Sequence, residues 1–562
     1  MRLAARVVGS LAALVLLAGS FQISRPGYSV DEEFTEFAVR GIHAHGLPLL
    51  PSGLLYDRGL AYSYASAIVD GRVISLVCAA LALVLAFALV RRHVDGTTAA
   101  IASLLAASSV PFWAAATTAR FYAPFLAAYL AVLLCLKGNI FVLAGLAVLA
   151  RLLHELAFTL IAVPVLCAIV ARDERRRWLI ATAAITAGLA AGQLVLFALH
   201  ALEPSSGETM VRRFFLWQVL NLFERPADRQ FVIPLVAMVI AWLVAPKRIA
   251  LATVLGVSGA AMILSFSIAR ATNSAPLSME LVQAVLVEGS QYPLDMFWHI
   301  SRATPNTLGM ALMVIVVSAV QMGAEWRPFE RALHGLWIAW VLWFGVIESG
   351  ITTNYLLLPV TFMLMATVVG VAAYAQREQP RESRSRLFSG TRVALALLVL
   401  GIVFDQWRGE GALTERLEAA RPTIHVDGLA AIGETLQPND RVVCTDELGC
   451  LMLIGRIDRW LALDDFVRER FLVRRPNDAL TGVYTGVPAV FRPADLFTPN
   501  PDGTLPDRVI IVDIFKDYPI GNSRYWLPKA IEEDGLVVLP LLETAQARVL
   551  QVSPPERVAR LR

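Results

Sequence analysis

The chain has 562 residues, 57% of them hydrophobic and only 17% charged, against about 45–50% and about 25% in soluble domains. That balance excludes an ordinary water-soluble globule, and a net charge of +3 is too small to argue for nucleic acid. The basic residues are nearly all arginine, with lysine only at 137, 247, 516 and 529, so their positions carry more meaning than their number.

Apolar windows of about 20 residues predict membrane spans near 5–21, 71–90, 97–116, 121–136, 139–152, 156–171, 178–200, 231–246, 249–269, 305–322, 334–350, 354–374 and 391–407. Basic clusters recur between alternate spans: Arg91 with Arg92, Lys137, Arg172 with Arg175 to Arg177, Lys247 with Arg248, Arg327 with Arg331, and Arg377 to Arg392. These mark cytoplasmic loops, as Arg2 and Arg6 mark a cytoplasmic N-terminus. About 13 spans, an odd number, then place the C-terminal segment outside the membrane. The first span could pass for a signal peptide, yet the later spans alternate correctly with it retained. The expected fold class is therefore a polytopic α-helical membrane domain, residues 1–407, followed by an extracytoplasmic α/β domain, residues 408–562.

The first outer loop, residues 22–70, is patterned. Within "YSVDEEFTEFAVRGIHAHGLP", Ser29 and Glu32 stand at capping-box spacing, Phe34, Phe37, Ala38 and Ile42 recur at helical spacing, and Gly46 precedes Pro48. An amphipathic surface helix is predicted. Asp31 falls in its first turn, where the helix dipole favours a carboxylate that could act as a base; the plainer alternative is that Asp31 only complements the dipole and Glu32 only caps. Further along come "GLPLLPSGLLYDRGLAYSY" with Arg58, then Arg72, then "ATTARFYAPF" with Arg120 and Tyr122. Arginines at the outer face run against the charge bias and need anionic partners. Those are the chain's own acids, lipid headgroups, or a bound phosphate, whose oxygens match the guanidinium fork.

Together these segments resemble the C-type glycosyltransferase superfamily, in the branch of dolichyl-phosphate-mannose protein mannosyltransferases and the lipid A aminoarabinose transferase. The resemblance runs through "VDEE", "GLPLLPSG", "YDRGL", "RVISLVCAALALVLAFALVRRHVDG", "ARFYAPF" and "NYLLLPV" in that order. It implies that Asp31, with Glu32 beside it, is the catalytic acid pair, and that Arg58 helps hold a donor phosphate. "YDRGL" replaces a lysine-proline-proline-leucine pattern, Phe34-Thr35 stand where Arg-Tyr is frequent, and Asn354-Tyr355 stand where Arg-Tyr often precedes the leucine-proline run. The implied activity is transfer of a sugar from a polyprenyl-phosphate donor to an acceptor hydroxyl at the outer face of a bacterial inner membrane. Asp31 would deprotonate the acceptor while Arg58 and Arg120 stabilise the departing phosphate.

His154 and Glu155, at a hairpin between two short spans, and Tyr355 are candidate substrate contacts. The chain offers no convincing metal site; His43 and His45 lie two apart on a helix and diverge. Whether a divalent ion takes part stays open, as do the sugar and the acceptor. A transporter or lipid flippase is the competing class, but it would place ionisable residues near mid-membrane and show inverted repeats. A receptor with a sensing outer domain leaves the Asp31 and Arg58 cluster unused.

Beyond residue 408 the runs "DRVVCTD", "DRVIIVDIF" and "GLVVLPLLE" read as strands, with helices at 411–420 and 426–436. Cys444 and Cys450 lie here, and an oxidising compartment would permit a disulfide. Two buried thiols fit the sequence equally well.

Overall fold

The computed structural model describes residues 2–24, 27–171 and 173–202, part of 357–369, and 423–553 apart from short stretches at 425–427, 463–471, 475–478, 500–502, 507, 515–522 and 545–546. The spans expected at 231–246, 249–269, 305–322, 334–350 and 391–407, the helix at 411–420 and Tyr355 lie outside the described residues.

The membrane half begins with α1 (Arg2–Ile23), followed by a two-residue strand β1 (Tyr28–Ser29), α2 (Val30–His45) and α3 (Leu60–Ser66). Then come α4 (Gly71–Arg91), α5 (Gly96–Ala107), α6 (Val110–Thr117), α7 (Tyr122–Cys135) and α8 (Ile140–Leu153). A 3-10 turn (Glu155–Ile161) leads into α9 (Ala162–Val170) and α10 (Arg175–His200). Among the described residues α1, α4 and α10 are each long and apolar enough to cross a membrane. The 21 residues of α4 extend about 32 Å, close to the hydrocarbon thickness of a bilayer.

The span expected at 97–116 is not one straight helix. It breaks between α5 and α6 with a 67° bend. Ser108 and Ser109 turn their hydroxyls back onto the carbonyls of Leu105 and Ala106, each at 2.8 Å, and Pro111 supplies no N–H to carry α5 onward. Likewise the first half of the span expected at 156–171 is the 3-10 turn, where the Thr159 hydroxyl bonds the Leu156 carbonyl at 2.7 Å.

Helices α8 and α10 pack backbone to backbone because Gly188 and Gly192 face α8. A Cβ on Gly188 would sit 2.3 Å from the Ala144 carbonyl oxygen, and one on Gly192 would sit 3.0 Å from Cβ of Arg151. Small residues four apart permit this approach. The bundle core continues through Phe112, Phe125, Tyr129 and Leu130 to Phe362, whose ring lies 5.5 Å from that of Tyr129.

The C-terminal part is an α/β layer. Strand β2 (Thr423–Ile424) and α11 (Leu429–Thr435) are followed by β3 (Arg441–Cys444), α12 (Glu447–Leu453), β4 (Arg459–Leu461), β5 (Leu472–Arg474), β6 (Leu480–Gly482) and β7 (Ala489–Val490). After a 3-10 turn (Pro493–Phe497) come β8 (Val509–Ile514), α13 (Ser523–Glu533), β9 (Val537–Glu543) and β10 (Ala547–Ser553). Six strands form one sheet in the order β7-β4-β3-β8-β10-β9, parallel from β7 to β8 and antiparallel beyond. Strands β3 and β8 are buried on both faces, which is why they read as unbroken β-branched runs rather than as alternation. Val442, Ile510 and Val512 face one core with Leu429, while Val443, Val509 and Ile511 face the other with Leu527 and Ile531. A disulfide joins Cys444 at the end of β3 to Cys450 in α12. The pair Asp513 and Arg548, directly opposite each other on β8 and β10, is buried with Arg548 Nη2 2.8 Å from Asp513 Oδ2.

The two parts are joined over α2. Strand β1 pairs with β2 in antiparallel register, Tyr28 opposite Ile424 and Ser29 opposite Thr423. Phe37, Ala38, Leu50, Leu54 and Tyr56 of the membrane half share one cluster with Leu448 of α12.

Candidate active site

Helix α2 starts as its sequence dictates. Ser29 accepts from the Glu32 amide, the Glu32 carboxylate accepts from the Ser29 amide at 2.7 Å, and Gly46 closes the helix in the left-handed conformation. The cap leaves Asp31 and Glu32 side by side in the first turn, but the surroundings treat them differently.

Glu32 is buried and saturated. Arg72, at the start of α4, donates from Nε to Oε1 at 2.8 Å and from Nη2 to Oε2 at 3.0 Å. The Ala119 amide adds a contact at 2.7 Å. Arg72 also binds the carbonyl of Gly27 at 2.5 Å, so it ties the start of α2 to the second span. Thus one of the arginines expected at the outer face meets an acid of the chain itself, and the carboxylate predicted to share catalysis is committed to an internal network.

Asp31 keeps 31% of its side chain exposed, and its Oδ1 lies 3.6 Å from Nη2 of Arg120. Arg120 is almost completely buried, in a box of four rings: its guanidinium carbon lies 5.9 Å from Phe34, 5.8 Å from Tyr56, 4.7 Å from Phe121 and 5.9 Å from Tyr122. Such faces attract a cation. Its Nη1 donates to the Tyr56 hydroxyl, whereas its Nε has no hydrogen-bond partner among the described residues. Burial raises the Tyr56 phenol above its ordinary range, against the downward pull of Arg120 and Arg58. The phenol is therefore protonated at neutral pH. Gly59 makes the box possible: it holds a φ of +72°, and a Cβ there would lie 2.3 Å from the Phe121 ring.

Tyr122, the first residue of α7, lies 6.1 Å ring to ring from His154, which also contacts Phe121 at 5.0 Å and stacks on Phe125 at 5.1 Å. Nδ1 of His154 accepts from the Leu156 amide at 3.0 Å, so the proton of the neutral ring is on Nε2. Burial holds this imidazole well below its usual range, reinforced by Arg58, Arg120 and Arg151. It is a neutral donor beside the arginine box. Arg58 is exposed on the loop before α3, with its charge felt by both Tyr56 and His154.

The structure therefore brings Asp31, Arg58, Arg120, Tyr122 and His154 to one place at one end of the helices. Glu155 opens the following 3-10 turn and acts on Arg151. Sequence reasoning missed Tyr56 and Phe34, although Tyr56 stands in the "YDRGL" segment that pointed to Arg58. It also missed two polar pairs next to the box: Arg151, whose Nε and Nη2 reach Gln193 Oε1 at 2.9 and 2.6 Å, and Asp57 with His200 at 3.3 Å. Among the described residues no group of three His, Cys, Asp or Glu side chains is arranged to hold a metal ion.

The membrane half, with its acid and basic groups on the loop after α1 and an α/β layer seated above, shares its fold with a solved structure, and the chain is a multi-pass membrane protein. The oligosaccharyltransferase of Archaeoglobus fulgidus, in a complex with Zn and sulfate, is similar with a TM-score of 0.52 at 11% identity, over 90% of this chain and 68% of that one. ArnT from Cupriavidus metallidurans bound to undecaprenyl phosphate matches over 97% of each chain at 14% identity with a TM-score of 0.44. Its apo form matches over 97% of each at 13% identity with a TM-score of 0.40. No protein-family model matches the sequence, and no curated protein matches it.

Proposed function

We propose that the protein is a membrane glycosyltransferase that moves a sugar from a polyprenyl-phosphate donor to an acceptor hydroxyl at the outer face of a bacterial inner membrane, with Asp31 as base. The observation that carries this reading is the division of labour between adjacent carboxylates. Glu32 is locked to Arg72 and two amides, while Asp31 is partly exposed beside a buried arginine held in an aromatic box. In the proposed step the acceptor oxygen bonds to the anomeric carbon, its proton passes to Asp31, and the bond from that carbon to the phosphate oxygen breaks with inversion. The leaving group is a lipid phosphate, a stable anion, so no second carboxylic acid is needed to protonate it, unlike the alcohol that leaves in glycoside hydrolysis. Arg120 and Arg58 supply the positive field toward which that charge develops, and Tyr122 and neutral His154 line the same place. The shared fold with an enzyme named an oligosaccharyltransferase supports transfer of sugars in general. The disulfide between Cys444 and Cys450 supports placing the C-terminal layer on the oxidising side of the membrane.

Mass spectrometry of glycans and glycolipids from cells with and without the gene identifies the product. Asp31→Asn keeps the size of the side chain and removes its basicity, and should lower that product by roughly 100-fold to 10,000-fold, the range of general base catalysis, at unchanged protein level. Near wild-type product from this variant would remove the base, and with it the proposed mechanism.

A further inference from the structure

The C-terminal layer touches the site through one turn. Between β6 and β7 the chain folds back with the Gly482 amide on the Val487 carbonyl at 2.9 Å and the Gly486 amide on the Gly482 carbonyl at 2.8 Å. From within its own layer the turn is held by the Thr485 hydroxyl on the buried carboxylate of Glu447. On the other side it is held by Ser52 of the first outer loop, whose amide donates to the Tyr484 carbonyl at 3.0 Å and whose hydroxyl donates to the Val483 carbonyl at 2.8 Å. Fixed between them, the Tyr484 ring meets Phe34 edge to face, with centroids 4.8 Å apart and planes at 80°. Phe34 lies three residues after Asp31 on the same helix, so the two side chains are neighbours. Phe34 also stacks on Tyr56 at 5.7 Å, Tyr56 holds Arg120, and Arg120 faces Asp31 at 3.6 Å.

We propose that Tyr484 is a positioning residue for sugar transfer, fixing Phe34 and Tyr56 so that Arg120 stays aligned on Asp31. The outer layer is in this way a working part of the site. The inference rests on reading Asp31 as the base. Docking of the two layers does not depend on this ring, because Leu448 packs against Phe37, Ala38, Leu50 and Leu54 and β1 pairs with β2. A ring contact beyond those is what a positioning role requires. The groups packed around the Asp31 and Arg120 pair are Tyr56, Tyr122 and His154, with Arg58 at the edge and Glu32 already bound to Arg72.

The experiment reads Asp31 directly. Full-length protein in detergent is treated with a water-soluble carbodiimide and an amine at one fixed pH, and the rate of modification of Asp31 is quantified by peptide mass spectrometry. Arg120, 3.6 Å away, restrains and shields the carboxyl, so Tyr484→Ala should change the Asp31 modification rate by about 2-fold or more, the effect of loosening one ion contact near the surface. Product in cells should fall about 3-fold to 10-fold at equal protein level, within what one aromatic pair can transmit. Tyr484→Phe keeps the ring and should match the wild type in both. An unchanged rate in Tyr484→Ala, or the same change in Tyr484→Phe, overturns the proposal. Should Tyr484→Ala fail to accumulate, Phe34→Leu interrupts the same chain of rings and should change the rate equally; no change there also overturns it. If Asp31→Asn retains activity while Tyr484→Ala still changes the rate, the functional reading fails and the positioning stands.

Discussion

Glu32 offers the sharpest test of how the site is built. Its carboxylate, 1% exposed, receives two contacts from Arg72 at 2.8 and 3.0 Å and one each from the amides of Ser29 and Ala119, both at 2.7 Å. Glu32→Gln leaves one oxygen to serve these donors and turns an N–H₂ group toward the rest. Removing one partner of a buried charged pair costs roughly 3–5 kcal/mol, chiefly because the other charge stays buried. The gross sum of four charge-assisted bonds would be larger, but such contributions do not add. We therefore expect Glu32→Gln, and separately Arg72→Gln, to destabilise the protein by roughly 3 kcal/mol. The double variant should recover part of that loss, since neither charge is then stranded. Asp31→Asn, on a side chain that is 31% exposed and 3.6 Å from its arginine, should cost about 1 kcal/mol or less, as solvent screens that contact. The assay is thermal unfolding of detergent-solubilised protein followed by tryptophan fluorescence and by recovery on size exclusion, for all four variants. Glu32→Gln unfolding within about 0.5 kcal/mol of the wild type, or Asp31→Asn as the more damaging of the two, would refute the assignment of structural and chemical roles.

Two further outcomes follow from packing and charge elsewhere. Burial opposes the charge on Asp440, but Arg508, at 2.9 and 2.5 Å, together with the Gln437 amide, outweighs it and holds the carboxyl below the usual aspartate range. A depressed folded value means stabilisation fully present above the unfolded value of about 3.9 and lost as pH falls through the folded one, so Asp440→Asn should flatten the acid loss of amide protection in β3 and β8 of the full-length protein. Gly188→Val should lower the stability by an amount typical of overpacking, roughly 1–3 kcal/mol, read as a lower midpoint in the same unfolding assay, because its Cβ would lie 2.3 Å from a backbone oxygen of α8, whereas Gly145→Val, with nothing within 4 Å, should be tolerated.

The patterns visible in the linear chain are those whose cause is local. Apolar runs, the Ser29 and Glu32 capping box, the stop at Gly46 and the unbroken β-branched runs of β3 and β8 each depend on neighbours a few residues away, so composition and period expose them. The same reasoning pointed to Asp31, Arg58, Arg120, Tyr122 and His154, because polar and charged residues at the ends of spans stand out against hydrocarbon. Adjacent acids in one helical turn have nearly the same local physics, so the linear chain does not show how different their surroundings are. What separates them is Arg72 and the Ala119 amide, 40 and 87 residues further on, which arrive at Glu32 only when α4 and the approach to α7 fold beside α2. The break between α5 and α6, the close crossing of α8 and α10 at Gly188, and the seating of Tyr484 on Phe34 likewise need two distant segments brought together. Those contacts belong to the tertiary structure because hydrogen bonds and ring packing act over a few ångströms in space, whatever the distance along the chain.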